Sequence, residues 1–394
     1  MPPATFAPPS TELRHRIADT IRVLSIDAVQ RANSGHPGLP MGGADFATVL
    51  ATRHLRVDGE WPEWPGRDRF VLSAGHGSML LYSMLHLLGF DVTLDDLREF
   101  RQWGSRTPGH PEYGDTAGVE TTTGPLGQGV GNAVGMALAE RMLATRFPGN
   151  PDGPHGHRTF CVAGDGCMME GVASEAASLA GHLRLSRLLV WYDANDITID
   201  GGTDLSFGED VGARYRAYGW HVVDGVDAHD HGAIDDALGE CLAESGRPSL
   251  VVGRSRIARG SPNKEGSHKA HGAPLGEDEV RLVKERLNFN PDESFAVPDD
   301  VREWFAASAR AAQDRSGAWR ERKEAWAESE PEAHAAWVAA LERRVRGDPL
   351  AGAPEWTAGD AVPTRKAGNA ALQVAAAAVP ELVMGSADLF ESNL

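Results

Sequence analysis

Apolar residues near the start of the chain fall on a helical period: Leu13, Ile17, Ile21, Leu24 and Ala28. Their three-or-four-residue spacing marks one face of a helix that should stop near Gly35, where a left-handed backbone is accessible. Ser34-Gly35-His36-Pro37-Gly38 then lies in the loop beyond it. Farther on, apolar residues come in short unbroken runs. Residues 69–73 read as a buried strand, followed by the turn Ala74-Gly75-His76-Gly77 and a helical run over 78–88. The order returns with a strand at 159–163, the turn Gly164-Asp165-Gly166, an Ala-rich helical stretch from about 170 to 183, and a strand at 188–192. Further strands are expected at 221–226 and 249–254. This alternation predicts an α/β fold, a parallel sheet flanked by helices. Ligands of such sheets sit at the carboxyl ends of the strands, so the turns named above should share one edge.

Around 305–345 the pattern changes to Ala, Glu, Arg and Trp at helical spacing, and Gly352, Pro354 and Gly359 then interrupt it. A helix is expected over 364–374 and a short strand at Leu382-Val383-Met384. The expected organisation is one domain over 1–320, a helical segment and linker over 321–358, and a piece over 359–394 too short to close a domain alone.

Composition narrows the partners. With 41% hydrophobic and 24% charged residues, 394 residues suffice to bury a core. The net charge of -18 argues against nucleic acid or an anionic membrane surface as a partner, since both select basic surfaces. Any phosphate must be gripped locally, by backbone N–H groups, His, Arg or a metal. The three cysteines, Cys161, Cys167 and Cys241, show no metal-type spacing and no disulfide framework. The longest apolar stretch, 79–90, is broken by Tyr82, Ser83 and His86, too polar for a membrane span. A reducing, cytoplasmic location is the expectation.

The strongest chemical signal is Gly164-Asp165-Gly166 at a strand end, with Asn195 thirty positions after Asp165 at the end of the next strand. A strand–helix–strand unit takes roughly thirty residues, so the spacing brings carboxylate and amide side by side. Hard oxygen donors of this kind suit Mg²⁺, and the N–H groups of the turn suit a diphosphate. Taken alone, that spacing fits equally a turn Asp and a solvated Asn. Four histidines, His36, His76, His110 and His271, sit in Gly/Pro-rich loops. An imidazole there can bond a substrate hydroxyl and move protons near neutral pH, although a lone loop histidine is more often simply solvated. His86, His182, His221, His229 and His268 read as core or surface residues.

Longer strings give these positions a context. GDG followed by Asn resembles the thiamine-diphosphate signature, and SGHPG (34–38), GHGSMLLYS (75–83), TPGHPEYG (107–114), GVETTTGPLGQG (118–129), GDGCMMEG (164–171), ITIDG (197–201), GSPNK (260–264) and HGAPLG (271–276) resemble transketolases in family order. TRKAGNAAL, GSADL and SNL near the end resemble the opening of that family's pyrimidine-binding domain.

The resemblance implies the thiamine-diphosphate-binding fold and a two-carbon ketol transfer between sugar phosphates. It implies that Asp165, Asn195 and the Ile197 carbonyl hold Mg²⁺ or Ca²⁺, and that Gly166 and His76 contact the cofactor's diphosphate. Gly124, Leu126 and Ile199 would line its rings, and Glu170 would help join two active sites across a dimer. His36, His110 and His271 would surround the donor sugar, and Arg365, Asp388 and Ser392 would bind substrate.

The family's activating glutamate lies in the pyrimidine-binding domain of the other subunit, and no residue here matches it. The expectation is therefore a homo- or hetero-oligomer completed by a pyrimidine-binding domain on a second chain, from a split or truncated enzyme inactive alone. Two departures stand out: Asp193-Ala194-Asn195-Asp196 where the family commonly has Asp-Asp-Asn-Gly, and Phe390-Glu391 where it has Thr-Pro. The alternatives are a dihydroxyacetone synthase or a secondary-metabolic relative, or a noncatalytic decoy.

Overall fold

The computed structural model describes residues 6–147, 156–345, 347–386 and 388–393. The chain divides into two compact units, Met1–Arg320 and Glu321–Leu394.

In the first unit the elements run α1 (Thr11–Ala32), α2 (Gly38–Val49), β1 (Arg69–Leu72), α3 (Ser78–Leu87), α4 (Leu94–Arg98) and α5 (Gln128–Arg146). There follow β2 (Thr159–Gly164), α6 (Asp165–Met169), α7 (Gly171–His182), β3 (Leu188–Ala194), α8 (Val211–Ala217) and β4 (His221–Asp227). Last come α9 (His231–Ala243), β5 (Ser249–Arg254), α10 (Glu277–Arg286) and α11 (Asp299–Ser329), within which the division between units falls.

The five strands form one parallel sheet in the order β1-β2-β3-β5-β4. Every residue of β2 and β3 is buried, as a sheet covered on both faces requires, whereas the edge strand β4 is half exposed and carries a register shift between Val223 and Val226. Helix α2 packs onto the sheet through Phe46, whose ring stacks on Trp191 of β3 at 4.3 Å. On the adjacent β5, a Cβ at Gly253 would meet the Trp191 indole at 2.2 Å, so only glycine leaves the ring its place. Across α1 and α10, buried Asp27 and Lys284 pair at 2.6 Å while Asp27 also accepts the Phe295 N–H. Both charges are thereby satisfied away from water.

The five strands expected within 1–320 are all present, β2, β3 and β4 each a residue or two longer at the carboxyl end than expected and β1 one shorter. Three expectations need correction. Gly38, expected in the loop after α1, is the first residue of helix α2. The Gly-Asp-Gly turn is itself partly helical: α6 begins at Asp165, ahead of α7, which is the helix expected from about 170 to 183. Residues 382–384 are not a strand: they are exposed, and no strand is available for pairing among the described residues of their unit. In that second unit the structure holds α12 (Pro331–Leu341), α13 (Thr364–Ala378) and α14 (Phe390–Asn393). No helix among the described residues is long and apolar enough to cross a membrane.

Candidate active site

The carboxyl ends of β1, β2 and β3 open into one cleft of about 340 Å³. Parallel registry sets Gly164 of β2 beside Asp193 of β3, which brings the two following turns together. Asp165 is buried, 3% exposed, and its carboxylate accepts the Tyr192 hydroxyl at 2.7 Å and the Asn195 N–H at 3.3 Å. Burial raises the Asp165 pKa to about 6, and the neighbouring carboxylates Asp193 and Asp196 push the same way while these hydrogen bonds oppose. Asn195 is oriented by its own turn: its amide donates to Asp193 at 2.9 Å, and its Oδ1 accepts the Ile197 N–H at 3.0 Å. Asp196 has φ +61°, the left-handed region that favours glycine, at the very position where the resembled family carries one.

The loop over 118–129 forms another wall. Its Thr123 hydroxyl donates to the Leu72 carbonyl at 2.8 Å, and the N-terminal turn of α5 is anchored by Val130 N–H to the Ser73 hydroxyl at 3.2 Å. A Cβ at Gly75 would lie 2.6 Å from the Thr123 hydroxyl and 2.7 Å from the Gly124 nitrogen, so glycine there lets the two loops touch.

Four imidazoles cluster in this region. The ring of His36 lies 5.1 Å from His76, 5.8 Å from His271 and 6.3 Å from His110, and His76 stacks on His271 at 5.0 Å. Burial is the main cause holding all four below the usual imidazole range. For His36, at about 4, the charges of His271, Arg101 and His110 add to it. The His36 Nδ1 is buried and has no protein partner. Arg101 donates to the Ser34 hydroxyl at 2.7 Å, tying the loop that follows α4 to the loop that carries His36. The His110 loop is held from behind, Ser78 donating to the Gly109 carbonyl and Tyr82 to that of Pro108, each at 2.9 Å.

Of the positions singled out in the sequence, His36, His76, Gly124, Leu126, Asp165, Gly166, Glu170, Asn195, Ile197, Ile199 and His271 all line this cleft. His110 reaches it through its neighbour His36. Ile199 is 60% exposed, at the rim and not packed inside. Leu39, Cys167, Met169, Thr198 and Ile257 also line it. Sequence reasoning assigned none of these, although Cys167, Met169 and Thr198 lie within the strings quoted above. Tyr192 and Arg101 were missed as well, and only their three-dimensional contacts reveal them. Arg365, Asp388 and Ser392 belong to the second unit, where all three are exposed and Arg365 donates to the Ser392 carbonyl at 3.4 Å.

A buried carboxylate without a cationic partner among the described residues, an amide oxygen beside it, and glycine turns at strand ends make a donor set that a hard cation and its phosphate ligand would suit. The fold and cleft therefore define an α/β domain of the diphosphate-cofactor-binding class. The family model described as "Transketolase, thiamine diphosphate binding domain" matches residues 13–348. A transketolase of Geobacillus stearothermophilus is 50% identical over 377 residues, 95% of this chain and 56% of that protein. One from Treponema pallidum is 49% identical over 385 residues, 97% of this chain and 58% of that protein. Among solved structures, transketolase from Leishmania mexicana superposes with a TM-score of 0.92 at 44% identity, covering 96% of this chain and 56% of that one. Transketolase from Pichia stipitis in complex with sedoheptulose-7-phosphate gives 0.91 at 44% identity, covering 97% of this chain and 57% of that one. The chain belongs to the transketolase family and corresponds to its N-terminal, thiamine-diphosphate-binding part. It spans little more than half the length of the relatives it matches.

Proposed function

We propose that this chain supplies the diphosphate- and metal-holding part of a transketolase, which moves a two-carbon ketol unit from a ketose phosphate to an aldose phosphate. The observation that carries this is the convergence on one cleft of residues drawn from loops after β1, β2, β3 and β5, between α1 and α2, and before α5. The raised pKa of Asp165 supports a divalent cation there, because a buried carboxylate short of counter-charge is stabilised by one. Asp165, Asn195 and the Ile197 carbonyl would hold Mg²⁺ or Ca²⁺, both of which take oxygen ligands. Gly166 and His76 would contact the diphosphate of thiamine diphosphate, and Gly124, Leu126 and Ile199 would flank its rings. When bound, that cofactor supplies the carbon nucleophile and electron sink that ketol transfer needs.

The protein's own contribution is positioning and proton exchange. His36, His110 and His271, held neutral by burial, accept hydrogen bonds from donor hydroxyls and take protons from them. Leu39, Ile257 and Leu126 line the same cleft with apolar surface, which excludes water and strengthens each polar contact. Glu170 would help join paired sites across a dimer.

The division between Arg320 and Glu321 supports reading 1–320 as the diphosphate-binding domain. We assign 321–358 to a helical segment and linker, and 359–394 to the start of a pyrimidine-binding domain, in which Arg365, Asp388 and Ser392 would meet the sugar phosphate. A pyrimidine-binding domain would complete the site.

The test is ketol transfer with thiamine diphosphate and Mg²⁺, on the chain alone and after mixing with a separately expressed pyrimidine-binding partner. Activity only in the mixture is expected. No activity in either, with cofactor binding also absent, overturns the reading.

A further inference from the structure

Away from the cofactor cleft, α1, α2 and the start of α9 bring His15, Asp45 and His231 together, with one donor atom from each lying within 4.8 Å of the others. The two imidazoles stack at 4.4 Å and 21°, so the exposed His15 ring must turn out of the stack before it can share an ion with His231. None of the three lines the cleft described above. We propose that His15, Asp45 and His231 form a second metal site, for one zinc-like divalent transition-metal ion.

The carboxylate is already oriented as a ligand needs to be. Its Oδ2 is held by the Arg22 guanidinium and by Nδ1 of His229 at 2.9 Å. The backbone N–H of Arg256 donates to Nε2 of His229 at 3.0 Å, so that ring carries its proton on Nδ1 and donates it to Asp45. Two donors on Oδ2 leave Oδ1 facing the third residue, with His231 Nε2 at 3.0 Å. Fixed outer partners of this kind orient ligating groups and tune their affinity.

His231 is 3% exposed, and its Nδ1 has no hydrogen-bond partner among the described residues. Its proton can therefore move between the ring nitrogens at the cost of no bond except that to Asp45. His15 is exposed, which gives an ion an entry path.

The local charge balance favours a cation. Arg22 bonds two carboxylates, Asp45 and Asp19, the latter at 2.8 Å. Two carboxylates thus share one guanidinium, an excess of one negative charge among these three side chains. Two imidazole nitrogens and one carboxylate oxygen suit zinc and its late first-row neighbours, whereas Mg²⁺ prefers an all-oxygen shell. Bound there, the ion would fasten α1 to α2 and α9, and α2 starts two residues after His36.

The test uses the full chain without a histidine tag, with thiamine diphosphate and millimolar Mg²⁺ present to occupy the first site. Zn²⁺ binding is measured by calorimetry, and Co²⁺ serves as a visible-absorption probe of nitrogen ligation. One tightly bound Zn²⁺ per chain is expected. His15→Ala, a change at an exposed position, should weaken it by about 10-fold or more and remove the Co²⁺ bands. Asp165→Asn should leave both signals in place. The proposal is overturned if the wild-type chain takes up no Zn²⁺ under these conditions, if His15→Ala binds it unchanged, or if the signal is lost with Asp165→Asn instead.

Discussion

The hydroxyl of Tyr192 donates a 2.7 Å hydrogen bond to Oδ1 of Asp165, from the strand adjacent to the one that Asp165 follows. It is one of two donors that offset the burial of this carboxylate. Tyr192→Phe removes the donor, leaves the ring in place and should raise the Asp165 pKa further. With Asp165 as the proposed ligand, a metal ion would then have to displace a more tightly held proton, and a contact that orients the carboxylate would be lost. Mg²⁺ affinity measured by calorimetry should fall by about 10-fold, as expected for a lost outer contact. Equal affinities in the two proteins would remove Tyr192 from the site.

The same carboxylate sets a pH dependence. Its pKa of about 6 in the folded chain lies above its ordinary 3.8. In the metal-free chain, protonated Asp165 therefore favours folding at low pH, and this contribution is lost as the pH rises from about 4 through about 6. Metal binding runs the other way, because it requires the ionised form. Mg²⁺-dependent cofactor affinity should be flat above about pH 7 and fall roughly 10-fold per unit well below pH 6, as one competing proton dictates. Tryptophan-fluorescence titrations at several pH values measure this. A flat profile from pH 5 to 8 would mean that Asp165 does not titrate with binding.

Much of this arrangement is legible in the sequence because strand-end turns leave local marks. Asp165 and Asn195 are placed by one strand–helix–strand spacing, and glycines frame the loops of His36, His76 and His271. What escaped detection lacks a local signal. All twelve residues of α2 are buried, so no polar face alternates with an apolar one, and its three glycines and Pro40 are poor helix formers. An apolar triplet such as Leu382-Val383-Met384 predicts a strand only where a neighbouring strand can pair with it. His15, Asp45 and His231 lie on three separate helices and meet only through tertiary packing.

Gly75 should be intolerant of any side chain. The Cβ of Gly75→Ala would meet the Gly124 backbone nitrogen at 2.7 Å and the Thr123 carbonyl carbon at 2.8 Å, and backbone yields less readily than a side-chain tip. The loop over 118–129 would have to retreat, at a cost of about 1–3 kcal/mol. Both urea-unfolding stability and thiamine diphosphate affinity should drop. A variant that loses stability and keeps full cofactor affinity would show that this loop does not shape the cofactor's side of the cleft.

The pair Asp27–Lys284 tests how the first unit is fastened. Lys284→Met leaves Asp27 charged and buried with only the Phe295 N–H for compensation. Breaking one partner of such a pair costs about 3–5 kcal/mol. Replacing both, as Asp27→Leu with Lys284→Met, removes the stranded charge and should recover much of that loss. Urea denaturation of the single and double variants decides. If the double variant is no more stable than Lys284→Met, the cost came from packing and not from the uncompensated carboxylate.

His110 separates substrate chemistry from cofactor holding. It sits at the outer end of the imidazole cluster, 6.3 Å from His36, on a loop anchored by Ser78 and Tyr82, and it does not line the cofactor cleft itself. Its loop is braced through backbone carbonyls, so His110→Ala leaves those contacts standing. In the reconstituted enzyme, donor turnover should fall by about 10²–10⁴-fold, the range for loss of a positioned acid–base group. Thiamine diphosphate affinity should stay within about 3-fold, because the contacts proposed for the diphosphate come from His76 and Gly166. The opposite pattern, with cofactor affinity lost and turnover preserved at saturating cofactor, would move His110 from the donor sugar to the cofactor.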